Sequence, residues 1–396
     1  MTPSARMRAA MREQRGAVLP LAMLSLVVLS AVLVGLSMLT GQEPRIASNH
    51  VMIVQAQALA EAGLERALWA LSTPESPHGL PWSAPAVAPY DGSELIAVTT
   101  ELGARLGGFR VTVSGAGDRQ RQVVAVGLVP GDSGPLGRAR QDISATVVRL
   151  RFPAPPAGIT VRGPLEIGAG VTVDARADGS CGDRAGTWAA GATTIGAGAQ
   201  VQGRTGDLAI PNEPADIHEH QAPAAFDDLA FAAAELQALK AIARVQGTYY
   251  QGGVTFDATR RIPDGLIFVD TVSGRPITDA TPAGDLASVS IGDGAPLGPG
   301  GSFRGWVIVN GSLSLTGSIT LQGLAYAADR LSQTGAARLV GAAMAGHVRS
   351  SSPSLVDARP SGGSAVSWSC EAGRAGGGRI PQRWLVKPGS YREAAG

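Results

Sequence analysis

The densest set of metal-ligand residue types in the chain is the run Asp216-Ile217-His218-Glu219-His220. On a strand, alternation places Asp216, His218 and His220 on one face, where a carboxylate and two imidazoles suit a divalent ion. The run lies among prolines and offers no fourth ligand, and the plainer account is a solvated loop. Asp257, Asp264, Asp270 and Asp285 are acids of the kind that polysaccharide-cleaving β-helices use, but no pair has a selecting spacing, and Asp also serves glycine-rich turns. Ser350-Ser351-Ser352 with His347 makes no nucleophile motif, and no phosphate-cradling P-loop or dinucleotide fingerprint occurs. The expectation is therefore a protein without catalytic, cofactor or metal site. The net charge of +1 argues against a nucleic-acid partner, which demands a basic face.

The elements that would carry any such chemistry are organised around one stretch, Arg15 to Leu71. Arg6, Arg8, Arg12 and Arg15 precede Gly16, and from Ala17 to Gln42 no residue is charged. Ala17–Thr40 as a helix spans about 36 Å, enough for a hydrocarbon core of about 30 Å. Basic residues before the run and only Glu43 and Arg45 just after it place the N-terminus in the cytoplasm. A cleaved secretory signal has a shorter apolar region and a small-residue cut at its far end, which Leu36–Gly41 does not offer. A plain signal anchor remains a reading of these residues.

Arg15-Gly16 directly before the apolar run resembles a class III prepilin cleavage site, and Ala58-Leu59-Ala60-Glu61-Ala62-Gly63-Leu64-Glu65 resembles a segment of PilX-like type IV minor pilins. The resemblance covers about Arg12–Leu71 and weakens beyond it. It implies cleavage after Gly16 by a prepilin peptidase and an N-methylated Ala17 as the new N-terminus. It also implies other major and minor pilins and an inner-membrane assembly machinery as partners, and residence in the inner membrane before display on a periplasmic or cell-surface filament. Leu21 stands where most pilins carry a glutamate; some tip-type minor pilins and pseudopilins also lack it, which favours a tip position. Pro20 falls in the first turn after the cut, where its missing N–H costs little.

From Ile46 to Leu71 the pattern is that of an amphipathic helix, with Ile53, Ala56, Ala60, Leu64, Ala67, Leu68 and Leu71 on one stripe. Glu43-Pro44 marks the membrane exit and a potential kink. Gly63 costs roughly 1 kcal/mol against alanine in a helix, which points to close packing there. Residues 73–152 read as a small antiparallel sheet with strands at Glu94–Glu101, Phe109–Gly115, Arg121–Val129 and Asp142–Arg151, interrupted at Gly131–Gly137. The prolines of Pro153–Gly158 mark a boundary.

Beyond it, nonamers at Leu165–Val173, Thr193–Val201, Leu313–Leu321 and Leu331–Leu339 share one frame of apolar pairs around small residues, and the last two begin 18 residues apart. Such rungs cannot bury their apolar faces singly and must stack, which predicts a glycine-rich β-solenoid over 153–396; a β-sandwich with glycine-rich turns is the alternative. Phe226–Val245 reads as one inserted helix that caps an open edge strand, and Pro381–Arg392 resembles the closing segment of PilX-like proteins, with Trp384 packed. The fold class expected is thus α+β: a long N-terminal helix, a small antiparallel sheet and a β-solenoid.

Cys181 and Cys370 both fall on the far side of the membrane, where oxidation is expected, and are read as one bridge tying the C-terminal tail to the first rungs. Two buried free thiols are the alternative. The function expected is a structural minor pilin acting in pilus assembly or adhesion. A membrane-anchored β-helical enzyme acting on envelope polysaccharide and a scaffold polymerising through open solenoid ends stand beside it.

Overall fold

The computed structural model describes residues 18–81, 85–103, 105–115, 117–131, 134–298, 301–346, 356–376 and 384–395. It is an α+β protein with a long N-terminal helix, a small antiparallel sheet and a parallel β-solenoid.

Helix α1 (Val18–Ser72) is continuous, about 80 Å long, and runs through position 44 without a break. Its second half lies on the sheet formed by β1 (Ile96–Thr99), β2 (Arg105–Ser114), β3 (Gln120–Gly131) and β4 (Gly134–Arg149). β3 and β4 form one long hairpin through the region expected to interrupt the sheet. Ala56, Ala60, Leu64, Ala67 and Leu71 are buried against the inward face, which contributes Phe109, Val111, Val123, Ala125 and Ile143. Ile53, expected on that stripe, is half-exposed, and Met52 beside it is the residue that packs toward Val129 and Ala139 of the sheet. Small residues set the depth of contact. A Cβ on Gly63 would meet Ala125 Cβ at 3.1 Å, and one on Gly127 would lie 1.9 Å from the Ala56 carbonyl oxygen.

The solenoid is not wound in chain order. Its first rungs, Ala157–Asp174 and Ala185–Gln202, form one end. The chain then crosses to the opposite end, at Tyr249–Phe256, and winds back until Ala358–Pro360 and Ala365–Trp368 pair with the first rung. One sheet holds Gly253–Phe256, Ala287–Ile291, Gly311–Leu315, Leu331–Gln333, Ala358–Pro360, Leu165–Ile167 and Thr193–Ile195, all in parallel. Leu313 stands opposite Leu331, and Leu165 opposite Thr193, so the repeats read from sequence are in register.

The larger sheet divides at a column of glycines. Gly265, Gly305, Gly323 and Gly341 are register partners. The last three have φ of 156°, 144° and 138°, and a Cβ on Gly323 would lie 1.7 Å from the Gly305 carbonyl oxygen. Only glycine suits this corner. Beyond it, Arg338–Gly341 pairs with Ala365–Trp368 while Ala343–Ala345 pairs with Ile159–Val161. The interior is filled by stacked aliphatics, among them Ile167, Val201, Ile267, Val307, Leu313, Leu321 and Leu339.

The expected single helix over 226–245 is two, α2 (Pro223–Leu229) and α3 (Ala233–Gln246). The break between them turns Phe231 inward, where it meets Tyr326 edge-on at 5.1 Å and lies tilted to Trp306 at 5.8 Å, and the Ala232 N–H donates to Glu235 Oε2 at 2.7 Å to restart the helix. Nor do these helices cap an edge. They carry the crossing chain along the outer face of the sheet, where Phe226, Phe231, Leu239 and Ala243 join Leu266, Phe268, Trp306, Ile308 and Met344 in one apolar cluster.

The solenoid ends are closed by other means. At one end Asn212 imitates a strand: its side-chain oxygen accepts from Val201 N–H at 2.8 Å and its amide donates to the Ala199 carbonyl at 2.9 Å. Glu219 accepts from Thr193 N–H at 3.0 Å. At the other end Ile262 is fully buried and the Arg260 guanidinium covers Tyr250 and Phe256 at 4.9 and 5.6 Å. At the first end, side chains that bond the outermost strand in this way oppose chain-to-chain pairing.

The chain finally returns to the small sheet. Trp384–Val386 and Arg392–Ala395 both pair antiparallel with β4. The solenoid expected to continue to 396 therefore gives way to the first domain by residue 384.

Candidate functional site

The feature that stands out chemically is the bare half of α1. Leu19, Met23, Val28 and Leu36 are 72%, 67%, 55% and 53% exposed, and Leu19–Ser37 is long and apolar enough to cross a membrane. Its hydroxyls are hidden within the helix. Ser25 and Ser30 donate to the Leu21 and Leu26 carbonyls at 2.8 and 2.7 Å, and Ser37 to the Val34 carbonyl at 2.8 Å. This back-bonding presents no free donor to an apolar surrounding. Pro20 lies in the first turn of the described helix, and Leu21 is exposed with the rest of the rod. Gly16 and Ala17, the residues of the expected cleavage and methylation, lie outside the described residues, as do His347 and Ser350–Ser352.

Where α1 leaves the apolar segment, its two sides differ. One is buried on the sheet; the other presents Val51, Val54, Ala58, Glu61, Ala62, Glu65 and Trp69. Arg66 lies over the Trp69 ring at 4.6 Å. The rod is thus apolar all round at one end and two-sided at the other, the pattern of a segment that meets lipid or other helices first and its own domain second.

Cys181 and Cys370 are joined, with Cα atoms 5.8 Å apart. Asp178 organises the junction. Its carboxylate accepts from the Ser180 hydroxyl and N–H at 2.6 and 2.9 Å and from Cys370 N–H at 2.7 Å. The Ser180 hydroxyl foremost, then its N–H, with the N–H groups of Cys370 and Glu371 adding, hold the Asp178 pKa down to about 2. Cys370 opens α4 (Cys370–Ala375), whose Gly373 carbonyl accepts from the buried Trp306 indole N–H at 2.7 Å.

The residues read as potential metal ligands are not gathered. Asp216 is buried, and its Oδ1 accepts from Thr205 N–H, Thr205 Oγ1 and Gly206 N–H at 3.2, 2.8 and 2.9 Å. His218 lies in a two-residue strand, and His220 has a left-handed φ of 53°. Among the described residues no group of three such side chains is placed to hold a metal. The scattered acids have structural partners. Asp257 accepts from Thr259, Asp264 from Arg304 N–H, and Asp285 from Ser273. Asp270 is buried in an ion pair with Lys240 and accepts from Asn310 at 2.8 Å and Tyr249 at 3.2 Å. Sequence reasoning missed this anchor of α3, since Lys240 reads as an ordinary polar helix residue.

The junction between sheet and solenoid is a second feature without a sequence signal. Arg119 and Arg151 both donate to the Asp228 carbonyl at the end of α2, the latter at 3.0 Å, and Arg151 lies 3.4 Å from the buried Glu235. Cations there complement the helix C-terminus. Burial pushes the Glu235 carboxyl up and the Arg151 guanidinium down from their ordinary values.

No protein-family model matches the chain, and no curated protein does. Among solved structures, an ice-binding protein from the Antarctic ascomycete Antarctomyces psychrotrophicus is 14% identical, with a TM-score of 0.24, over 55% of this chain and 96% of that one. The competence-associated pilin ComZ from Thermus thermophilus is 12% identical, with a TM-score of 0.23, over 87% of this chain and 98% of that one. At such scores neither carries an argument about this chain.

Proposed function

We propose that the chain is a pilin-like filament subunit, a PilX-like minor pilin used at or near the tip of a type IV pilus or a related filament. The observation that carries this reading is α1 itself: one unbroken helix, bare and apolar over Leu19–Ser37 and sealed by small residues onto an antiparallel sheet from Ala56 onward. In this reading prepilin peptidase cleaves after Gly16 at the cytoplasmic face and Ala17 becomes the methylated N-terminus. The subunit is held in the inner membrane until the assembly machinery moves the rod from lipid into a bundle of similar helices, where packing replaces lipid contact. Leu21 supplies no carboxylate for a neighbour's terminal ammonium, which suits a subunit at the end of the row.

The solenoid is then a displayed, non-catalytic head that serves adhesion or contact with another minor pilin. Structural partners for Asp257, Asp264, Asp270 and Asp285 support that role over a polysaccharide-cleaving one. The deciding experiment is the mature N-terminus, read by mass spectrometry of protein from cells with an active prepilin peptidase. Ala17 first, with or without a methyl group, is the expected result; a retained Met1 overturns the reading.

A further inference from the structure

The small sheet has an outer face that α1 does not touch. Alternation sends Val123, Ala125, Ile143 and Ala145 toward the helix and turns Gln122, Ser144 and Thr146 the other way. On that outer side the turn between the two C-terminal strands folds beside β4 and borders a half-open pocket of about 380 Å³. Gln122, Ser144, Thr146, Lys387, Ser390 and Arg392 line it. Gln122 is the register partner of Thr146, and Arg392 that of Ser144, so these side chains come from adjacent strands.

We propose that this cavity is an oxyanion-binding site, taking a phosphate, sulfate or carboxylate group carried on a small polar body such as a sugar. Lys387 is half-buried and Arg392 exposed, and among the described residues neither is paired with a carboxylate. Asp142, on the same face of β4, is already held by Arg140 through two bonds of 2.8 and 2.7 Å. The bordering turn is fixed in place: Ser390 Oγ accepts from Thr146 N–H at 3.1 Å and lies 2.7 Å from the Lys387 carbonyl that it bonds, while Lys387 N–H donates to the Thr146 carbonyl at 2.8 Å. Two cations and a wall of hydroxyl and amide groups suit an anion that needs charge-assisted bonds. The lining has no aromatic ring for an apolar ligand to stack on. The volume exceeds what a bare ion fills, hence the attached polar body.

This assignment does not depend on the filament reading. The test is titration of the full chain in detergent with inorganic phosphate, inorganic sulfate and a sulfated disaccharide, followed by calorimetry. The expected result is saturable one-to-one binding, tightest for the disaccharide, that weakens at least about tenfold in Lys387→Gln and in Arg392→Gln, as the loss of a bond to a charged group requires. Arg110→Gln, an exposed cation on the same face but outside the cavity, leaves it unchanged. Binding of the inorganic ions with no gain for the disaccharide keeps the site and identifies the free ion as its source. Absence of saturable binding by all three probes, or equal weakening in all three variants, overturns the assignment.

Discussion

The backbone N–H of Trp384 donates to Ser72 Oγ at 3.1 Å, so the last residue of the long helix holds a strand that lies 312 residues further along the chain. Trp384 is 2% exposed and packs in the core between α1 and the sheet. Replacing it by alanine is expected to cost about 3–5 kcal/mol of stability, the range for a buried tryptophan. Urea unfolding in detergent measures this, with Trp69→Ala, a partly exposed ring, as the control that changes little.

The contact of helix and sheet sets apart two glycines. Gly127→Ala drives a Cβ into the backbone of α1, 1.9 Å from the Ala56 carbonyl oxygen and 2.6 Å from Ala60 N. A loss of about 1–3 kcal/mol is expected, as for overpacking in general. Gly63→Ala meets side-chain atoms at 3.1 Å, and there a helix-propensity gain of about 1 kcal/mol opposes the crowding. The net change at Gly63 is expected to stay within about 1 kcal/mol, and the same denaturation series ranks the two.

Cys181 and Cys370 close a loop of 189 residues. Replacing both by serine is expected to lower stability by as much as about 5 kcal/mol in the loop-entropy model. The bridged protein should run faster on a non-reducing gel than after reduction and should contain no thiol titratable in denaturant.

Asp178 gives the same junction an acid limit. Its folded-state pKa, about 2, lies below the ordinary 3.8. Its contribution is therefore fully present above pH 4 and is lost as pH falls from about 4 toward 2, where the unfolded chain binds the proton first. Asp178→Asn should flatten the part of the acid-unfolding curve that falls in this window while leaving the neutral-pH slope unaltered.

Lys240→Met removes the cation from a carboxylate that is 1% exposed. Asp270 keeps Asn310 and Tyr249 but loses its counter-charge. A cost of about 3–5 kcal/mol is expected. The double variant Lys240→Met/Asp270→Asn should cost less than the single one, and thermal unfolding distinguishes the two.

Much of this architecture is legible in the residues, for reasons that differ by region. The apolar rod is readable because the absence of charge over Ala17–Gln42 is a local property. The docking face is readable because small and apolar residues recur at helical spacing. The solenoid betrays itself where successive rungs are adjacent in sequence, as at Leu313 and Leu331, whose spacing equals one turn of the coil. What stays hidden is non-local. Nothing in Leu165–Val173 says that its neighbours are Thr193–Val201 on one side and the rungs of Ala358–Trp368 on the other. The break before Ala233 has no proline or glycine to announce it, since the cause is the burial of Phe231 against Tyr326 and Trp306. The pocket beside the final turn combines Ser144 with Arg392, and a single chain read in order gives no reason to put them together.

The solenoid leaves the small sheet after β4 and comes back to the same strand through Trp384–Val386 and Arg392–Ala395. Both of its attachments therefore lie side by side on one strand. The coil is a closed excursion that begins and ends at that strand, so rungs gained or lost within it leave the register of β4 with β3 unchanged.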